Sequence, residues 1–402
     1  MANLNPVFIQ PEMGLIIEPL DTLFFRDGRP FDAEDYGKTM LPTPQTVAGM
    51  IRTWLMKKEG MKPSELHGLR DGSHPKKWIA HIAFRGPWLA KVSKDNALEV
   101  EDIFVPIPAS IYQIGKEEDS PLVRLNPLNP DISFPGWDSP LPGAPMRPLF
   151  IGKTKEALQP VDGFLNNAGL IAYLKGDHPD VNKHKIKQKC LFDFEERTGI
   201  AISPETLTTE EGLIYSANHL RLKDHIVFYA EIGWETEQES GWPDIQELIS
   251  PKGVVLPFGG EGRRVLVRIA SKPYEWPKVE ADGRFLTLLI SPAINNPRGE
   301  VSDRLPWQPP ECGALVAAAV PKPIAISGWD LTGDSENNWQ PRPRPVRFAV
   351  PAGTVYFWER GKNSNLEKQF SPMMQLAEKP QDRAAGWGIA LKGVWDYAGK
   401  EK

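Results

Sequence analysis

Sulfur chemistry is scarce in this chain. Of its 402 residues only Cys190 and Cys312 are cysteines, and no CxxC pair occurs, which argues against a thiolate zinc site. Seven histidines (His67, His74, His81, His178, His184, His219 and His225) form neither HExxH nor any recognisable metal-ligand spacing. No metal is expected. GxSxG and GxxxxGK[ST] are both missing, and GWGIALKG at 386–393 misses the GxGxxG spacing. Neither a catalytic residue nor a cofactor is therefore expected. The longest apolar run, ALVAAAV at 314–320, falls far short of the ~20 residues of a spanning helix, so no membrane partner is expected. MANLNPVFIQPEMG lacks the basic start of a secretory segment, and with so little cysteine it points to a reducing cytoplasm. An excess of positive charge is also lacking. The net charge of −5 argues against coating nucleic acid over a whole face, though it permits a local basic groove.

What is present is a globular composition, 41% hydrophobic and 25% charged. The 40 prolines are scattered, at roughly twice the usual ~5% share, and they punctuate a loop-rich, strand-rich chain. MGLIIEPLDTLFF (13–25) reads as a strand. TPQTVAGMIRTWLMKK (43–58) reads as a helix, with Thr43 as N-cap, Pro44 in the first turn and Val47, Met50, Ile51, Trp54 and Leu55 on one face. Gly49 beside that face suits either close approach to a sheet or simple tolerance. Strands follow at 78–92 and 102–111. Residues 111–190 read as an irregular insertion ending in a solvated, mobile lysine-rich loop at 175–189. Further strands are expected at 197–202, 212–222, 225–234, 284–294, 314–327 and 346–358. Short helices are expected at 243–249 and 371–378, each followed by a glycine cluster and a strand. That pattern, occurring twice, fits two βαββαβ units.

Two kinds of segment invite a chemical reading. LFFRDGRPF (23–31) is either a turn that happens to carry charge or a rigid turn presenting Arg26 and Arg29 to an anion. PFGGEGRR (257–264) and GWGIALKG are either tight turns or anion-binding concavities lined by backbone N–H groups. Glycine would allow the positive φ that such a concavity needs. Arg263, Arg264 and Lys392 would supply charge. Phe24, Phe25, Phe31, Tyr36 and Trp387 are candidate stacking surfaces, although aromatics in strands are more often core. PRPRPVR (341–347) reads as an extended basic linker, and ETEQESGWPDIQE (235–247) as an acidic face that would repel RNA.

FFRDGRPF, the TVAGMIRT helix start, PFGGEGRR and VPAGTVYFWE, in that order along the chain, together resemble one family. It is the RAMP-superfamily subunit of type III-B (Cmr) CRISPR effector complexes at the 5′ end of the guide RNA, the third of that series. The resemblance implies an α+β fold of two ferredoxin-like (RRM-like) domains with long loop insertions, at 1–270 (insertion near 111–190) and 271–402. It implies a non-catalytic subunit whose partners are the crRNA 5′ tag, the large palm-domain subunit and neighbouring RAMP backbone subunits. Carried onto this sequence, it marks Arg26, Arg29, Gly259, Gly260, Gly262, Arg263 and Arg264 as RNA contacts, and more weakly Gly386, Gly388 and Lys392. A RAMP endoribonuclease, the equivalent type III-A subunit and a pure scaffold remain as alternatives.

Overall fold

The computed structural model describes residues 13–26, 40–62, 65, 69, 72–140, 146–152, 154–202, 209–235, 238–281, 283–295, 307–309, 312–330, 342–359 and 373–399. Among them the chain is a mixed α/β protein of mostly antiparallel sheets with few helices. Fifteen strands matter here: β1 (Met13–Pro19), β2 (Ile82–Val92), β3 (Val100–Pro106), β4 (Phe164–Leu165), β5 (Lys185–Ile186), β6 (Phe192–Ile202), β7 (Thr209–Leu222), β8 (Ile226–Trp234), β9 (Val254–Pro257), β10 (Arg264–Ile269), β11 (Arg284–Leu289), β12 (Ala314–Ala319), β13 (Val355–Glu359), β14 (Met373–Gln375) and β15 (Ile389–Gly393). One sheet has the order β5-β4-β3-β2-β8-β1-β10-β9, the other β12-β13-β11-β15-β14. The four strands β2-β8-β1-β10 and the four strands β12-β13-β11-β15 share one arrangement: second, third, first, fourth in chain order. The outer strands of the first sheet are short, and β9 ends on Pro257.

Side-chain alternation assembles these sheets into layers. Leu15 and Ile17 of β1, with Phe228, Ala230 and Ile232 of β8, face helix α1 (Pro44–Lys58), which contributes Val47, Ile51 and Leu55. Ile16, Val227 and Tyr229 point the other way and share a core with Leu286, Leu288, Val355, Phe357 and Leu391 of the second sheet. Phe285, Leu289, Tyr356 and Trp358 line the far face of that sheet with Cys312. Trp88 Nε1 crosses between the sheets and donates to the Ile290 carbonyl at 2.8 Å.

One charged pair lies inside this stack. Arg85 Nη1 and Glu231 Oε2 are 3.6 Å apart and both side chains are buried. Trp276 Nε1 donates to Glu231 Oε1 at 2.8 Å, and the Tyr229 hydroxyl reaches it at 3.3 Å. Burial pushes the Glu231 carboxyl above its ordinary range, while the Arg85 guanidinium pulls it down.

Several expectations are corrected. Residues 373–375 form edge strand β14, not a helix: Met373 and Met374 enter opposite cores, as a strand requires. The helix of this region, α3, comes later, at Pro380–Ala384. The expected helix at 243–249 shrinks to a single 3-10 turn at Ile245–Glu247, capped by Asp244. Residues 259–262 join β9 to β10, whereas 386–388 join α3 to β15, so the two glycine clusters are not equivalent. Thr43 is extended at the N-cap position, but its hydroxyl meets Thr46 Oγ1 at 3.2 Å, not a helix N–H. Gly49 is exposed, with nothing within 4 Å of a built Cβ, so no close approach explains it.

The 111–190 insertion is more ordered than its sequence suggests. It holds short strands and helix α2 (Asn167–Leu174), capped by the Asn166 side chain, which accepts from the Gly169 N–H at 2.9 Å. Arg124 is buried beneath α2, donating to the Tyr173 carbonyl at 2.9 Å and to the Val394 carbonyl. The lysine-rich stretch is not a free loop. Asp180 caps a helical turn at Val181–His184, and Lys185–Ile186 extends the first sheet.

Removing one partner of a buried ion pair typically costs ~3–5 kcal/mol. Glu231→Ala is expected to lower the urea midpoint accordingly with an unchanged m-value. Glu231→Gln, which still accepts from Trp276, is expected to cost less.

Candidate nucleic-acid interface

The β9–β10 connection is a tight hairpin. Phe258 N–H donates to the Arg263 carbonyl at 2.8 Å and Arg263 N–H to the Gly260 carbonyl at 3.2 Å. Gly259, Glu261 and Gly262 all have positive φ, at +86°, +55° and +66°. Gly259 is required by proximity as well, since a Cβ there would sit 2.5 Å from the Phe24 carbonyl oxygen. Gly260 N–H donates to that same carbonyl at 2.8 Å. The loop thus rests on the segment that leads into RDGRPF, and Phe25 meets Phe258 edge-on at 5.2 Å. Residues 259–262 and Arg264 are exposed, as is Arg26. Arg264 has no ion-pair partner among the described residues. Arg29, Phe31 and Tyr36 lie outside them.

Beside the hairpin is a charged cluster that the sequence reading missed. The long β6–β7 ribbon is pinned at its root by paired hydrogen bonds between Leu23 and Leu220, at 2.8 and 2.7 Å. This brings Asp21 between three guanidinium groups: Arg221 and Arg263 at 3.2 Å, and Arg197 at 3.8 Å. Glu195 accepts from Arg221 Nε at 2.6 Å and from Arg197 Nη2 at 2.7 Å. Those two arginine hydrogen bonds hold its carboxyl down at about 2. Partial burial works to raise Asp21, but the Thr22 N–H and the Arg221 and Arg197 guanidiniums outweigh it and leave it lowered. His219 is buried. Its Nε2 lies 3.1 Å from Glu261 and its Nδ1 3.2 Å from Thr22 Oγ1, while Phe24 stacks on the ring at 5.4 Å. Burial lowers its pKa, against the pull of Glu261. A neutral ring that accepts from Thr22 and donates to Glu261 satisfies both nitrogens. A hint was legible: Asp193, Glu195 and Arg197 alternate on one strand, a polar stripe of period two.

The second glycine cluster is different. Gly386, Trp387 and Gly388 are all buried. A Cβ on Gly388 would lie 2.3 Å from the Ala377 nitrogen, and one on Gly386 3.0 Å from the Phe84 carbonyl oxygen. Backbone crowding and positive φ, +98° at Gly386 and +76° at Gly388, explain these glycines, and their burial gives Gly386 and Gly388, expected as RNA contacts, no exposed surface. Trp387 is a core residue, not a stacking platform. Lys392, on β15 opposite Thr287, is half-buried.

The family model described as CRISPR-associated protein (Cas_Cmr3) matches residues 15–395. The chain belongs to this family. Cas_Cmr3 membership bears out the resemblance first seen in RDGRPF and PFGGEGRR. Among curated proteins none matches. Among solved structures, a chain of the type III-B Cmr-beta bound to cognate target RNA is 17% identical over 94% of this chain and 96% of that one, at a TM-score of 0.48. A chain of the same type of complex bound to target RNA and AMPPnP is 18% identical over 90% and 98%, at 0.47. A chain of the Csm3-Csm4 subcomplex of the type III-A interference complex is 12% identical over 87% and 95%, at 0.39.

In this Cas_Cmr3 chain, no group of three or more His, Cys, Asp or Glu among the described residues is placed to hold a metal ion. No helix among them is long and apolar enough to cross a membrane. His81 stacks on Trp242 at 5.3 Å, and its Nδ1 lies 3.9 Å from Glu235. His67 lies outside the described residues.

The lowered pKa of His219 has a signed consequence. Below histidine's ordinary 6.5 the unfolded chain takes up a proton that the buried ring resists, so stability falls as pH drops through that value. His219→Asn is expected to flatten this part of the stability-versus-pH curve, measured by urea denaturation at a series of pH values.

Proposed function

We propose that this protein is a non-catalytic subunit of a type III-B CRISPR effector complex. In this reading it grips the 5′ tag of the crRNA at the Gly259–Arg264 hairpin and through Arg26 and Arg29, with Lys392 as an outlying contact. It docks on the large palm-domain subunit and on neighbouring RAMP backbone subunits, and works in the cytoplasm. The observation that carries the reading is an exposed glycine-rich hairpin, in a Cas_Cmr3 chain, with Arg264 lacking an ion-pair partner among the described residues and the backbone held open by positive φ. Guanidinium groups on a rigid turn lose little freedom on meeting a phosphate, and glycine lets the RNA backbone come close.

The division at 1–270 and 271–402 into two ferredoxin-like units belongs to the same proposal. Its support is the shared order of β2-β8-β1-β10 and β12-β13-β11-β15, which is that of a split βαβ sheet. Helix α1 then joins the first and second strands of the first unit, and α3 precedes the last strand of the second.

The test is a charge reversal at exposed positions. Arg26→Glu with Arg264→Glu is expected to retain a cooperative melting transition and to weaken binding of tagged crRNA. The slope of log affinity against log salt is expected to become shallower by ~0.7 per lost contact with single-stranded RNA. Unchanged affinity and slope would count against the reading. Labelled precursor crRNA is expected to stay intact with the protein in the absence of metal. Site-specific cleavage would make the chain an endoribonuclease instead.

A further inference from the structure

The Asp21 cluster does not resemble an ordinary surface ion pair. Three arginines from three separate segments, the two ribbon strands and the glycine hairpin, converge on a single carboxylate. That carboxylate is half exposed, at 50%, and sits on a bend just past the end of β1. A carboxylate and a phosphodiester carry like charge and present similar acceptors to a guanidinium. Arg263 belongs to both groups, so the cluster is continuous with the exposed hairpin and with Arg264. Its own charges cancel: Asp21, Glu195 and Glu261 match Arg197, Arg221 and Arg263.

We infer that Asp21 is an internal stand-in for an RNA phosphate, and that Arg197, Arg221 and Arg263 form a second phosphodiester site which Asp21 covers until RNA displaces it. The inference rests on the RNA-binding reading above and deepens it. Exposed ion pairs are worth only ~0–1 kcal/mol each, so exchanging one anionic acceptor for another is cheap. Displacement leaves the site assembled, because Glu195 still orients Arg221 through Nε and Arg197 through Nε and Nη2. The Leu23–Leu220 hydrogen bonds still fix the ribbon root. The carboxylate thereby sets a threshold. RNA that touches this site alone must compete with a tethered anion, whereas RNA that also engages Arg264 and the glycine hairpin can afford the exchange. Specificity of this kind arises by penalising the wrong partner as well as favouring the right one. Asp21 is accordingly a specificity-determining residue, and Glu195 a positioning one.

The experiment compares the full-length wild-type protein, Asp21→Asn, Glu195→Gln, and Asp21→Asn combined with Arg221→Gln. Binding of fluorescent oligouridine and of tagged crRNA is measured over a salt series, with melting temperatures as a check on folding. Asp21→Asn is expected to tighten oligouridine binding about three- to tenfold and to steepen its salt slope by ~0.7, the increment for one added single-strand phosphate contact. The gain for tagged crRNA is expected to be smaller, and Arg221→Gln is expected to cancel the gain for oligouridine. Glu195→Gln is expected to weaken both RNAs by loosening two arginines. A purely structural Asp21 would leave the salt slope unmoved. If wild type binds crRNA while Asp21→Asn matches or falls below it on oligouridine, the inference is overturned and the RNA-binding reading stands. If wild type binds neither RNA but Asp21→Asn binds oligouridine, the covered site is supported and the tag-binding reading fails. Absence of binding by both proteins overturns both.

Discussion

The fold depends on one shared apolar layer. The inward faces of the two sheets pack on each other, with helix α2 completing the layer through Leu170, Tyr173 and Leu174. Ile16, Val227 and Tyr229 from one and Leu286, Val355 and Leu391 from the other occupy a single core. Burial of this kind stabilises by ~25 cal/mol per Å² of apolar surface removed from water, and here neither sheet obtains it alone. Tryptophan 88 adds a directional element by donating across the layer to Ile290. The Arg85–Glu231 pair sits on the same side of the first sheet as Tyr229, where its hydrogen bonds admit few alternative alignments. Because the layer fixes the strands, it also fixes where β1 ends and β10 begins, and the candidate interface is built at those two points.

How much of this was legible in the sequence follows from how local each signal is. Strands such as 82–92 and 226–234 announce themselves because apolar and β-branched residues dominate runs bounded by turns. Helix α1 shows in the spacing of Val47, Ile51 and Leu55. Helix α2 was missed because NAGLIAYL has no polar face to set a period; it is packed against both sheets and the insertion. Residues 371–378 misled because Met373, Met374 and Leu376 fit a short helix as well as an edge strand, and only pairing with β15 decides between them. Glycine spacing pointed to the hairpin at 259–262 and, more weakly, to 386–388; both hold glycines of positive φ, but the first is exposed and the second buried. Composition cannot separate an exposed turn from a buried one. The charged cluster was out of reach for another reason: Arg263 and Asp21 are 242 positions apart, and only the ribbon root brings Arg197 and Arg221 to them.

Part of the molecule's positive charge is engaged inside the chain. Several of its arginines are already committed: Arg124 to the Tyr173 and Val394 carbonyls, Arg347 to Asp382 at 3.1 Å through both oxygens, and Arg383 to the Ala377 and Glu378 carbonyls. They belong to the 47 lysines and arginines of a chain whose net charge is −5. Arg264, at the mouth of the β9–β10 hairpin, is exposed and has no ion-pair partner among the described residues.

The margins of the eight-stranded sheet have a further consequence. At one end β5 offers a mere two residues of ladder, and at the other β9 stops at a proline with no amide hydrogen to give. Blunted borders of this sort resist recruitment of foreign strands. Copies packed side by side in a crowded cell are thereby kept from zipping into fibrils. A neighbour that approaches this sheet edge-on therefore finds little ladder to extend.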